Sequence, residues 1–304
     1  MTTAVRARAP LVALFTYAAA DPGHVAVMDV AQAHLERQGV RATYLRVFGN
    51  RDILRTGQLA KEIVARRPDV VLSFMTNANL AMIAATQGGV CPVVGWSMDL
   101  TGACLQNLQT GAKGNVTGVS FPASVQHDQL TLLKALKPGV RRIGHLYNPG
   151  YAVAQPVLER MQKAAAGLAL DVTPYLCEAA GEFPAVIARM AGEGIEALTV
   201  GPHELFNAHG KAISAAAMHL GLPAVGLESI AVEDGVAGFA PDFPAIWERG
   251  AEMAARILQG ESAGAIPVDV SIAPQIILNL RSIRRLGLQA SVGVIRSATR
   301  VIKE

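Results

Sequence analysis

From Leu11 onward, short apolar runs alternate with longer stretches in which apolar residues recur every three or four positions. The short runs suit strands buried on both faces, and the longer spacing suits helices with one apolar stripe. In the first half this predicts strands over 11–15, 42–47, 70–74 and 93–96, with helices over 23–38, 53–66, 78–88 and 102–108. The rhythm resumes after Pro122: a helix over 124–136, strands over 143–147, 171–176, 197–200 and 224–226, and helices over 151–166, 185–191 and 208–220. Consecutive strands joined through helices pair in parallel, with helices covering the sheet on both faces. The expected class is α/β, with two Rossmann-like lobes built on parallel sheets.

Two segments rich in glycine interrupt the rhythm, GNVTGVS (114–120) between the halves and GVAGFAPDF (235–243) after the second, and both read as crossings between lobes. A helix over 244–259, a proline-marked stretch around Pro267 and a last strand over 276–280 follow. Three crossings make a three-segment hinge, with 10–118 and 238–266 as lobe one and 119–237 and 267–304 as lobe two.

Length agrees with this division, since 304 residues fill two cores of roughly 150 more readily than one. Apolar residues at 51% against 17% charged exclude a disordered chain. The net charge of +3 comes from scattered basic residues, in doublets no longer than Arg66-Arg67, Arg141-Arg142 and Arg284-Arg285, so no nucleic-acid partner is expected. Cys91, Cys104 and Cys177 lack metal-ligand spacing; they read as small buried thiols, with pairing of Cys91 and Cys104 left open. No dinucleotide fingerprint or phosphate loop follows any strand, so no cofactor and no metal are expected. The N-terminal MTTAVRARAP has no apolar core of a secretion signal, and no later stretch of about 18 apolar residues occurs. A periplasmic or extracytoplasmic location is expected if a signal sequence was removed, a cytoplasmic one if the sequence is complete.

Four segments in register, GNVTGVS, LYNPG (146–150), GFAPDF (238–243) and the ending RILQGESAGAIPVDVSIAPQIILNLRSIRRLGL, resemble the ABC-transporter substrate-binding proteins of type I periplasmic-binding fold. The likeness runs over nearly the whole chain from Leu11, and is to the branch whose better-known members carry aromatic amino acids. It departs after the fourth strand, where the family commonly has Thr-Asp-Pro and this chain has Ser97-Met98-Asp99-Leu100, and after the third, where Met75-Thr76-Asn77-Ala78-Asn79 stands. The resemblance implies a binding protein without catalytic residues, acting as a monomer that hands a small molecule to a transporter permease.

Ligands of open parallel sheets sit beyond the carboxyl ends of the strands, where helix N-termini point. The loops there give the candidates. Thr16 and Tyr17 follow the first strand, with Asp21-Pro22 as a helix cap and first turn. Thr76 and Asn77 follow the third and can cradle a carboxylate or cap their own helix. Ser97 and Asp99 follow the fourth; Asp99 can meet a ligand ammonium or cap the next helix. Trp96 reads as a strand residue packed against a helix. From lobe two come Asn148 and Tyr151, His203 in Pro202-His203-Glu204, and Glu228, with Asp242 at the second crossing. Tyr17, Phe74, Phe206 and Phe239 are the aromatic candidates, with Phe74 and Phe206 equally suited to the core. Helix N-termini on one side and carboxylates on the other suit a zwitterion, so an amino acid or related compound, bound between lobes by hinge closure, is the leading expectation. The alternatives are a cytoplasmic ligand-sensing module and a two-lobe enzyme such as a racemase.

Overall fold

The computed structural model describes residues 8–86, 89, 91–105 and 113–304. The chain divides into two compact units, the first comprising residues up to Phe121 together with Asp242–Ile272, the second Pro122–Pro241 with Ala273–Glu304. In the first unit the order is β1 (Leu11–Thr16), α1 (Pro22–Arg37), β2 (Thr43–Phe48), α2 (Ile53–Ala65), β3 (Val70–Phe74), α3 (Thr76–Ala85), β4 (Val93–Ser97), a wide helical turn (Leu100–Leu105) and β5 (Val116–Ser120). The second unit continues with α4 (Val125–Leu136), β6 (Arg142–Tyr147), α5 (Ala154–Gly167), β7 (Asp171–Leu176), α6 (Phe183–Gly192), β8 (Ala197–Val200), α7 (Glu204–Ala208), α8 (Gly210–His219), β9 (Ala224–Gly226), α9 (Glu228–Ala231) and β10 (Ala237–Ala240). Helix α10 (Phe243–Leu258) returns to the first unit, and β11 (Gln275–Asn279), α11 (Leu280–Arg285), α12 (Val292–Ser297) and β12 (Arg300–Ile302) end the chain in the second.

Among the described residues the first unit has a five-stranded sheet, β2-β1-β3-β4-β5, parallel throughout. The period-2 alternation of strand side chains splits its core in two. Val12, Leu14, Leu72, Val94 and Trp96 pack on α1 and α10 through Met28, Leu35, Trp247 and Ala251. Ala13, Phe15, Val71 and Val93 face α2 and α3 through Leu59, Ile63, Ala78 and Met82. The second unit has a seven-stranded sheet, β12-β11-β10-β9-β8-β6-β7, in which β10 and β11 run antiparallel. Read from β7 to β10, its order repeats that of the first unit.

The structure corrects the sequence reading in four places. The glycine-rich segments taken for crossings are largely strands, β5 and β10, and the chain changes unit just after each. Their glycines serve strand packing: a Cβ at Gly118, whose φ is +148°, would collide with the carbonyl oxygen of Gly95 on β4. The strand over 276–280 is not the last, because β12 pairs beside it. The helix expected over 208–220 is α8, but a short α7 that the spacing does not predict precedes it, and the helix expected from 151 begins at Ala154. The ends of the first-unit helices at 87–88 and 106–108 lie outside the described residues.

Candidate functional site

In the first unit the strand order reverses between β1 and β3, and at such a reversal the loops leave in opposite directions and open a crevice at the carboxyl edge. Thr16 and Phe74 are register partners there, and Phe74 pairs with Trp96 on β4, so the segments carrying Thr16-Tyr17, Thr76-Asn77 and Ser97-Asp99 stand side by side. Thr76 and Ser97 are buried, with their hydroxyl oxygens 2.8 Å apart. The Ser97 hydroxyl also accepts the Asp99 N–H at 3.2 Å.

Helix starts at this edge differ in one respect. Asp21 caps α1 by accepting from the His24 N–H, Asp52 caps α2 from Arg55, and Asp242 caps α10 from Ala245. The residue at the N-cap of α3 is Met75, which makes no side-chain cap bond; the helix starts at Thr76 rather than 78. Thr76 and Asn77 thus stand inside the first turn rather than at its N-cap position, and the Thr76 hydroxyl bonds to Ser97. Met75 has φ +75° and ψ 150°, a region that suits glycine, and is held by its N–H to the Trp96 carbonyl and its carbonyl to the Asn79 N–H, both at 3.0 Å. The first-turn N–H groups of a helix have no partner within it and carry its positive pole, so α3 offers a place for a carboxylate.

The other first-unit candidates have internal partners. Thr16 accepts from the Ala18 N–H, the Tyr17 hydroxyl donates to the Arg51 carbonyl at 2.7 Å, and Asp99 accepts from Gly102 N–H at 2.8 Å, the capping role foreseen for it. Burial pushes the Cys104 thiol up to about 12, against a hydrogen bond from Ser97. All three cysteines are buried free thiols, so Cys91 and Cys104 do not pair.

The second unit has the matching reversal between β6 and β8. Asn148, after β6, is buried and bonded into its own turn: its amide donates to the Cys177 carbonyl at 3.2 Å and its oxygen accepts the Gly150 N–H at 2.9 Å. His203, after β8, caps α7, its Nδ1 accepting the Leu205 N–H at 3.0 Å, which places its proton on Nε2. Burial holds its pKa below the ordinary imidazole value. Tyr151 meets the His203 ring edge-on at 5.7 Å, so two candidates predicted from separate loops come together. Glu228 opens α9 and pairs with Arg300 at 2.8 Å on the surface. Among the described residues no cluster of His, Cys, Asp and Glu could hold a metal ion, and no helix is long and apolar enough to cross a membrane.

The family model described as ABC transporter substrate binding protein matches residues 30–302. The chain belongs to that family. This substrate-binding protein is 23% identical over 239 residues to the tyrosine-binding protein of Clostridioides difficile strain R20291, covering 78% of this chain and 68% of the relative. In structure it is similar to an ABC domain from Streptococcus pneumoniae in complex with L-Trp, with a TM-score of 0.82, 22% identity, and coverage of 97% of this chain and 100% of that one. A ligand-free, open substrate binding protein with adhesive properties from Clostridium difficile gives a TM-score of 0.75 at 22% identity, covering 97% and 99%. These likenesses give the substrate-binding protein the two-lobed type I periplasmic-binding fold expected from its sequence.

Phe74, Phe206 and Phe239 are buried. Trp96 is a packed strand residue, as read from its apolar run, and belongs to a row of rings: Phe74 stacks on Trp247 at 3.6 Å and on Trp96 at 5.2 Å, and Trp96 meets Phe243 edge-on at 5.2 Å. Phe243 is 39% exposed. Sequence reasoning passed over it, although an aromatic ring at the first helical position, fixed between Asp242 and Pro244, was a usable signal.

Proposed function

We propose that this protein binds a free amino acid, with an aromatic one favoured, and presents it to the membrane permease of an ABC uptake transporter on the extracytoplasmic side, without catalysing a reaction. The observation that carries the ligand class is the uncapped start of α3 beside the Thr76–Ser97 hydroxyl pair at the strand-order reversal. A carboxylate fits the positive pole of a helix, and the hydroxyls supply short-range partners of either polarity. The family supplies the delivery role, and the names of two relatives, one tyrosine-binding and one bound to L-Trp, favour an aromatic side chain. Thr76, Asn77, Ser97 and Asp99 make first contact, and Asn148, Tyr151, His203, Glu228 and Asp242 are the remaining candidates. Closure about the three chain crossings follows, driven by contacts that the ligand makes only in the closed form.

A thermal-shift screen of the purified chain against amino acids, aromatic acids, nucleosides and sugars tests this. A ligand at a hundred times its Kd stabilises the folded state by about 2.7 kcal/mol, which raises the melting temperature by several degrees. The expected result is a shift with aromatic amino acids. Silence across the panel, from protein freed of co-purified ligand, contradicts the proposal.

A further inference from the structure

We propose that Phe243 is the residue that reads the aromatic side chain of the ligand, its open face packing on the ligand ring while Trp96 holds it from behind; this rests on the amino-acid reading above. Helix α10 fixes where Phe243 lies. Gly250, two turns further along, sits against Val94 and Leu72, whereas Phe243 meets Trp96 near the carboxyl end of β4. The helix therefore runs down the sheet from its carboxyl edge, and its first residue stands at the edge that carries Thr76 and Ser97. Met75 and Met98, which flank those hydroxyl residues, pack on the cluster containing Phe74, Trp96 and Trp247.

Burial divides the row. Phe74, Trp96 and Trp247 are 5% exposed or less, and Phe243 is the one aromatic among the exposed large hydrophobic residues described. Its position is set from both sides, since Asp242 caps the helix immediately before it and Pro244 restricts the backbone immediately after. A rigid, half-covered ring with an aromatic neighbour behind it can add a further edge-to-face or offset contact at little cost in side-chain freedom. An aliphatic ligand would lose the directional part of that contact and keep only the buried area.

Calorimetric titration of the whole chain with L-tryptophan and L-tyrosine, in wild type, Phe243→Leu and Phe243→Tyr, tests the assignment alongside melting of each ligand-free protein. Phe243→Leu is expected to weaken both ligands about tenfold while the ligand-free melting temperature stays within a degree or so, and Phe243→Tyr is expected to bind like wild type. Wild-type affinity in Phe243→Leu overturns the assignment, as does a loss of binding that tracks a loss of ligand-free stability. If the wild type binds neither ligand but binds another amino acid, the aromatic assignment falls and the amino-acid reading stands. If it binds no amino acid at all, both fall.

Discussion

The loops after β1 and β3 in the first unit and those after β6 and β8 in the second occupy equivalent places in the same strand order, yet their polar groups are used differently. In the second unit Asn148 holds its own turn with both ends of its amide, and His203 caps the helix it precedes. In the first, α3 begins with no side-chain cap and the Thr76 and Ser97 hydroxyls bond to each other across two strands. Helix starts without a side-chain cap occur in both units, since α5 and α9 begin that way too; what sets the first edge apart is the buried Thr76–Ser97 hydroxyl pair beside such a start. Identical topology thus leaves open which unit takes hold of a ligand; that hydroxyl pair distinguishes them. First contact with a ligand is proposed for the first unit on this ground.

The largest expected difference between the units is their response to acid. His145, on β6, is buried, with its Nδ1 2.9 Å from the Thr199 hydroxyl, and burial lowers its pKa to about 4. Below the unfolded value of about 6.5, the unfolded chain takes up a proton that the folded chain refuses, so stability falls as pH drops from there to about 4 and does not change on this account above it. The loss approaches about 3 kcal/mol below pH 4, and about 2 kcal/mol of it is reached by pH 4.5. Denaturant melts at pH 7 and pH 4.5 should show it in wild type and lack that share in His145→Gln. No histidine of the first unit appears among the buried residues described.

Next in size, Asn148→Ala should cost about 2 kcal/mol of stability, since it leaves a buried carbonyl and a turn N–H without partners, while the ligand Kd stays within about threefold. Thr76→Val should do the reverse: about tenfold weaker ligand binding by calorimetry, with ligand-free stability changed by about 1 kcal/mol or less. If Asn148→Ala destroys binding in protein that still melts normally, the contrast between the units is broken. The smallest effect is expected of Glu228→Gln. Its pair with Arg300 has both side chains more than half exposed, so stability should change by less than about 1 kcal/mol and affinity by less than about twofold. A tenfold loss of affinity there would move Glu228 into the ligand site and enlarge the second unit's share.

Much of the fold was legible in the sequence because buried parallel strands are written as apolar runs, and β1 to β4 and β6 to β9 follow them closely. β5 and β10 were mistaken for linkers because their glycines, which permit close strand packing, also suit turns. β12 was missed because a three-residue edge strand with Arg300 in it carries no periodic signal. For the site, the rule that ligands sit at the carboxyl ends of strands led to Thr16, Thr76, Ser97, Asn148 and His203, but sequence does not say where a hydroxyl or amide points. The open start of α3 depends on Met75 adopting a backbone conformation unusual for its type, and the exposure of Phe243 depends on a contact with Trp96 made far along the chain.

Amide hydrogen exchange with and without saturating L-tryptophan or L-tyrosine tests the central claim most directly, since it reads each backbone N–H of both units in one experiment. The account predicts that the strongest new protection falls on the first turn of α3, from Thr76 to Asn79, and on Ser97 to Leu100, with smaller changes at Asn148 to Tyr151 and His203. Protection confined to the second unit, with the α3 amides unchanged, would contradict it.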